Sequence, residues 1–276
     1  MKSVYAAAAT ILRSANPDDK VEAAHKLSRD WTRETLDFTP VKIDLPARPA
    51  RPDAPQLVSP KMIKRHRVGA QKGRAALLHA IAHIEFNAID LAADMIGRFA
   101  SHPALSETER RKFIGDWVSV CDDEARHFSL IVTRLAELGM HYGDLPAHDG
   151  LWQAAQATSE DFIARLVIAP MVLEARGLDV TPPMIEKLKS AGDHDSAAIF
   201  QTIYDDEIGH VRIGTHWFHH MCEIKGLDSR LTFQEKVATY FKGLLKPPFN
   251  RAARDLAGMP VSYYDPQAFY DDSKPA

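Results

Sequence analysis

The sequence predicts an all-α protein: a four-helix bundle with a long crossover between its second and third helices, and helical or extended additions at both ends. Three observations predict it. Apolar residues recur in steps of three and four along successive long stretches, as one buried face of a helix requires. The pair Glu124 and His127 recurs as Glu207 and His210, 83 residues later. A stretch without helical period, Gly139 to Thr158, separates the second of these helical patterns from the third.

The elements follow in order. Residues 1–35 read as two short helices broken at Asn16-Pro17, with Asp18 as the cap of the second. Residues 39–60 carry six prolines, an extended composition without amphipathic period. Leu45, Leu57 and Val58 give that segment something to bury, so it is expected to lie as an arm over the bundle. The stretch from Lys61 to Arg74 is basic, with Lys64, Arg65, His66, Arg67 and Lys72 between its ends. It reads either as a solvated helix start or as a patch for an anionic group.

The first bundle helix spans about Arg74 to Phe99, with Leu78, Ala82, Glu85, Ile89, Ala92 and Ile96 on one face. The short turn Ser101-His102-Pro103 sends the second helix, Ser106 to Leu138, back antiparallel. From that turn Glu85 lies about 18 residues back and Glu124 about 21 forward, so at ~1.5 Å per residue they stand within about one turn of the same height. The third helix runs from Ser159 to about Gly177 and should be kinked by Pro170; Pro182-Pro183 then stops or restarts the chain. The fourth runs from about Asp193 to Lys225. A further helix, Thr232 to Leu245, and a Pro-rich aromatic tail reaching Phe269-Tyr270 are expected to pack along the bundle. Residues 1–73, 74–225 and 226–276 thus form arm, bundle and tail of one compact domain.

Residues three apart share a helix face. Glu124 and His127 fill the apolar series Phe113, Trp117, Val120, Ile131, Leu135, and Glu207 and His210 fill the series Phe200, Ile203, Trp217, Met221. Both pairs are therefore expected to face the core. Glu85 and Glu174 hold the corresponding positions on the first and third helices. A Glu-x-x-His pair alone is weak, since 13 His make about one such pair expected by chance. Glu22 and His25 form a third pair, but on a face shared with Arg29, and they read as solvated surface. Buried carboxylates need compensation. Arg and Lys are missing from the four seams, whereas two divalent cations offer four positive charges to four carboxylates. Oxygen and nitrogen ligands without thiolate favour Fe or Mn over Zn or Cu(I). The candidate metal ligands are Glu85, Glu124, His127, Glu174, Glu207 and His210. His79 and His83 lie off the Glu85 position, and His83 is expected to support the site or serve as a core polar group.

This ligand set over residues 74–225 resembles the ferritin-like superfamily of di-iron and di-manganese carboxylate proteins, whose defining description it matches. Asp123 to His127 is similar to the Asp-Glu-x-Arg-His signature of bacterial multicomponent monooxygenases; Asp206 to His210 departs from it, with Gly209 in place of Arg. The resemblance implies that Asp123 and Asp206 orient ligand histidines. The phrases Leu173 to Asp179, Asp206 to Val211, Leu145 to Asp149 and Pro247 to Asn250 are similar to an uncharacterised ferritin-like family, and more distantly to the ferritin-like tRNA hydroxylase. Where the radical-generating subunit of ribonucleotide reductase has a Tyr one turn after the first ligand His, this chain has Ile131, which argues against a stable tyrosyl radical. Gly177, Gly209 and Gly214 lie near ligands and read either as close helix packing or as space for O2 and substrate.

The resemblance implies two metal ions, Fe/Fe first, with Mn/Fe or Mn/Mn as alternatives. Partners would be O2, an unidentified substrate and an external electron donor, with a homodimer as one assembly. The expected function is an O2-dependent oxidase or hydroxylase; the alternatives are a ferroxidase or a manganese-catalase-like protein without organic substrate. A net charge of −3 gives no general pull towards nucleic acid or anionic membrane. No uninterrupted apolar run approaches the ~18 residues of a membrane span. Two cysteines, Cys121 and Cys222, suggest no disulfide framework and fit a reducing cytoplasm.

Overall fold

The computed structural model describes residues 2–63, 67–241 and 243–265. It is helical almost throughout; the strand pairing is a two-residue parallel match of β1 (Lys2–Ser3) with β2 (Leu36–Asp37). The chain divides into two compact units, Met1–Gln156 with Glu186–Ile199, and Ala157–Ile185 with Phe200–Ala276.

The first unit is built on α1 (Val4–Arg13), α2 (Pro17–Thr32), α3 (Gln71–Phe99) and α4 (Glu107–Glu137). The longest packing runs between α3 and α4, while α1 lies on α3 and α2 on α4. Asn16, not the expected Asp18, caps α2: its side chain accepts from the Asp18 and Asp19 N–H groups, and Pro17 takes the first helical position, where its missing donor costs nothing. Ser106 starts α4 with a full capping box, accepting from the Glu109 N–H while the Glu109 carboxylate accepts from the Ser106 N–H. Among the described residues, α3 alone is long and apolar enough to cross a membrane by length and composition. Its apolar window is 72% buried within the protein, and the helix also carries buried Glu85, Asp90 and Asp94, as in a core helix.

The Pro-rich segment lies as an arm on this unit. The Ala50 N–H donates to the Leu12 carbonyl at 2.7 Å, and Trp152 donates to the Ala47 carbonyl at 3.1 Å. Leu45 sits on Gly97, and Val58 donates to the Ala147 carbonyl at 2.8 Å. Leu57, expected to bury, remains exposed; here the backbone bridge to Ala147 holds the arm. The stretch Gly139 to Thr158 contains a short helix that the sequence pattern did not reveal, α5 (Gly150–Ala157), anchored by buried Trp152 and Ala155. Of the basic stretch, Lys64, Arg65 and His66 lie outside the described residues; Arg74 is committed to an ion pair with buried Asp193 at 2.8 Å.

In the second unit α6 (Phe162–Leu166) passes directly into a π-helix, Val167–Glu174, with Pro170 inside it. The sequence placed a kink there. The structure widens the winding instead, which accommodates a residue that cannot donate to the preceding turn. The helix then continues as α7 (Ala175–Ser190) straight through Pro182-Pro183, correcting the expected stop. Two prolines remove only two donors, and buried Leu178, Ile185 and Leu188 anchor the helix on either side. The fourth long helix, α8, spans His194–Lys225. α9 covers Ser229–Tyr240, starting three residues before the expected Thr232 and ending five short of Leu245; Asp228 caps it by accepting from the Leu231 N–H. α10 (Arg251–Leu256) and α11 (Val261–Tyr264) form the described part of the tail; Phe269 and Tyr270 lie outside it.

The tail is tied down by polar contacts. Arg254, 3% exposed, donates to both oxygens of buried Asp179 at 2.9 and 2.7 Å and to the Ala175 carbonyl. Arg176 donates to the Lys246 and Pro248 carbonyls, and the Asn250 amide nitrogen to the Leu178 carbonyl and Tyr204 hydroxyl.

Candidate metal centre

In the first unit α3 supplies Glu85 and α4 supplies Glu124 and His127. The apolar neighbours on each helix, Leu78, Ala82, Ile89 and Ala92 on α3 and Trp117, Val120, Ile131 and Leu135 on α4, are all buried. The seam that buries them carries the three polar side chains inward with it. Glu124 and His127 are wholly buried and Glu85 is 4% exposed. His127 Nδ1 lies 3.2 Å from Glu85 Oε2 and 3.5 Å from Glu124 Oε2. Burial opposes a charged imidazole, but the hydrogen bonds and charges of Glu124 and Glu85 overcome it and raise the His127 pKa to about 11. The two carboxylates thus favour positive charge at this position.

In the second unit Glu174 ends the π-helix and is half-buried. Glu207 is half-buried and His210 buried on α8, with His210 Nδ1 3.6 Å from Glu207 Oε1. In the first unit the ligand atoms that Glu85, Glu124 and His127 offer all lie within 4.8 Å of one another, a group that could hold a metal ion. The donors are oxygen and imidazole nitrogen. Both cysteines are free and buried, and burial raises their thiol pKa values, Cys222 to about 11. Neither is a ready thiolate.

The remaining site residues are distributed as follows. Asp123, half-buried, accepts from Arg126 one turn on at 2.9 Å. Asp206 is half-buried one residue before Glu207. His83 spends both ring nitrogens on the connection after α4: Nδ1 is 2.8 Å from the Tyr142 hydroxyl and Nε2 is 3.2 Å from the His148 carbonyl. Since Nε2 must donate to that carbonyl, Nδ1 accepts from Tyr142, and the ring is neutral; burial lowers its pKa to about 4. His79 Nε2 accepts from the Gly143 N–H at 3.0 Å. These two histidines thus brace the connection. Ile131 is fully buried.

The three glycines divide. A Cβ on Gly214 would stand 2.4 Å from Pro170 Cβ and Cγ, so Gly214 exists for close packing. Gly177 and Gly209 face open space, with nothing within 4 Å of an added Cβ.

Sequence reasoning missed Tyr142, whose ring packs on His79, His83, Phe86 and Phe128. It also missed a buried charge cluster of Lys20, Arg51 and Asp90. A usable signal was present: His79 and His83, one turn apart on an apolar helix, both required partners from elsewhere.

Comparison with known proteins matches residues 13–265 to a family described as a protein of unknown function, DUF455. An uncharacterized protein of Haemophilus influenzae (strain ATCC 51907 / DSM 11121 / KW20 / Rd) is 40% identical over 253 residues, covering 90% of this chain and 88% of the relative. No solved structure matches the chain.

Proposed function

The chain belongs to the DUF455 family, and from that premise and the acidic cluster we propose that it is a ferritin-like di-metal carboxylate protein, a di-iron oxidase or hydroxylase that uses O2 on an unidentified substrate. One observation carries the reading: Glu85, Glu124 and His127 are 4%, 0% and 0% exposed, with the imidazole between the two carboxylates. Burying two acids is costly unless a cation accompanies them. The donor set fits iron or manganese, being carboxylate and imidazole without thiolate. Glu85, Glu124 and His127 would hold the metals from α3 and α4, and Glu174, Glu207 and His210 from the π-helix and α8. Bound iron would supply electron transfer to O2, chemistry that side chains lack. The chain's own contribution is a set of preplaced acids, a dry seam of Ile, Leu and Trp around them, and an imidazole that must release its proton when a metal takes Nδ1 or Nε2.

Anaerobic Fe(II) titration of the full chain, followed by O2 and read by stopped-flow absorption and Mössbauer spectroscopy, tests the reading. It predicts about two Fe(II) per chain and rapid oxidation to a discrete dinuclear ferric product. Continued oxidation of many irons per chain, with a cage-sized mass on size exclusion, would favour a ferroxidase. Oxygen release from peroxide by the manganese-loaded protein would favour a catalase. Failure to bind either metal would end the proposal.

A further inference from the structure

Beneath the Pro-rich arm, apart from the acidic cluster, the first unit buries two cations on one carboxylate. Lys20, wholly buried on α2, donates to Asp90 Oδ1 and to the Ile11 carbonyl at 3.0 Å. Arg51 of the arm donates to Asp90 Oδ2 and to the Asn87 side-chain oxygen. Both cations also lie on the Phe86 ring, at 5.2 and 5.3 Å from its centroid. Neighbouring carboxylates are engaged elsewhere, Asp94 with Arg98 and Asp122 with His25. Among the described residues Asp90 is the one carboxylate that either cation pairs with. Burial, and then the nearby Arg51 charge, pull the Lys20 pKa below its ordinary value against the opposing effect of Asp90. The shift is chiefly that of a buried cation, with Arg51 adding to it.

The Arg51 guanidinium, unlike the Lys20 ammonium, reaches the surface. Arg51, with its side chain 17% exposed, lines a half-enclosed cavity of about 230 Å³ together with Pro52, Pro55, Gln56, His83 and Tyr142. Two of the five guanidinium N–H donors are spent on Asp90 and Asn87, so others remain for a ligand. The His83 ring is neutral, with its Nδ1 accepting from Tyr142. The floor is aromatic and proline, and the volume is below the ~300–1,000 Å³ of drug-sized sites. Exposed Asp53 lines the same cavity and is its sole acidic lining residue.

We infer that this cavity is a binding site for a small organic anion, a carboxylate or phosphate group held on Arg51 with a planar or apolar body against Tyr142 and the prolines. The site stands on two cations that share one carboxylate and on a shaped cavity, and does not depend on the proposed metal chemistry. A guanidinium matches carboxylate and phosphate alike through paired N–H donors. The ligand's negative charge completes a two-cation, two-anion cluster that the protein leaves one short.

Calorimetric titration of the full chain with benzoate, its neutral isostere benzamide, and inorganic phosphate tests the inference. At least one anion should bind, and benzamide should bind at least about tenfold more weakly than benzoate if the carboxylate is the group held. Arg51→Met leaves Lys20 and Asp90 as a balanced pair, so it should fold, and it should lose anion affinity at least about tenfold. Gln56→Trp fills the cavity without touching the charges and should abolish binding; Asp53→Asn should strengthen it. Phosphate binding without benzoate binding assigns the site to phosphate groups. Absence of binding by both anions to about 10 mM, benzamide binding as tightly as benzoate, or affinity kept within about twofold in either Arg51→Met or Gln56→Trp would overturn the site.

Discussion

Gly214 and Gly209 stand five residues apart on α8 and do opposite things. Gly214→Ala drives a methyl into Pro170 and should cost about 1–3 kcal/mol, the usual range for overpacking. Gly209→Ala meets nothing and should raise stability by roughly 0.5–1 kcal/mol, because it trades the most flexible residue for the best helix former. Urea denaturation of the two variants checks both signs, and equal effects would contradict the packing account. From sequence alone the three glycines were indistinguishable, since the partner of Gly214 lies 44 residues away and only the fold brings it close. Two histidines add opposite pH limbs. The His127 pKa is raised in the folded metal-free protein, so its stabilisation is complete below about pH 6.5 and is lost as pH climbs towards 11. The same proton competes with metal, so metal affinity should rise with pH across that window. The His83 pKa is lowered, so its contribution is present above about pH 6.5 and is lost as pH falls towards 4. A His83→Gln variant should lose less stability between those values than the parent in urea melts at stepped pH; an unchanged slope would contradict this.

At the scale of elements, the long helices were legible because each carries its own punctuation. Ser106 with Glu109 opens α4, and the three- and four-residue steps of its buried face run to Leu135, with Glu124 and His127 in register. Ser106→Ala should cost about 1 kcal/mol in thermal or chemical unfolding. The misread elements are those held by something other than local pattern. α5 exists because Trp152 finds the Ala47 carbonyl of the arm, and α7 survives Pro182-Pro183 because buried leucine and isoleucine flank them. The π-helix is invisible to a 3.6-residue reading, which placed Glu174 on the third helix as if the winding were regular. The phrases Leu173–Asp179 and Pro247–Asn250, distant in sequence, prove to be one hydrogen-bonded assembly closed by Arg254 on Asp179. Asp179→Ala strands a buried guanidinium and should cost about 3–5 kcal/mol, loosening the tail to limited proteolysis.

At the scale of the molecule, the helical class and the inward placement of Glu85, Glu124 and His127 were readable because a seam position is a statement about burial. The arm's charged anchor was not, since nothing local in a proline-rich stretch announces that Arg51 will reach Asp90 on α3. The central claim is that buried acids here are tolerable because cations accompany them. Metal analysis of the purified full chain, by mass spectrometry of iron and manganese per polypeptide, tests this most directly. The account predicts about two metals per chain and a loss of that stoichiometry in the Glu124→Ala, Glu207→Ala double variant. A metal-free protein that takes up neither ion on reconstitution, or a double variant that keeps the full complement, would contradict it.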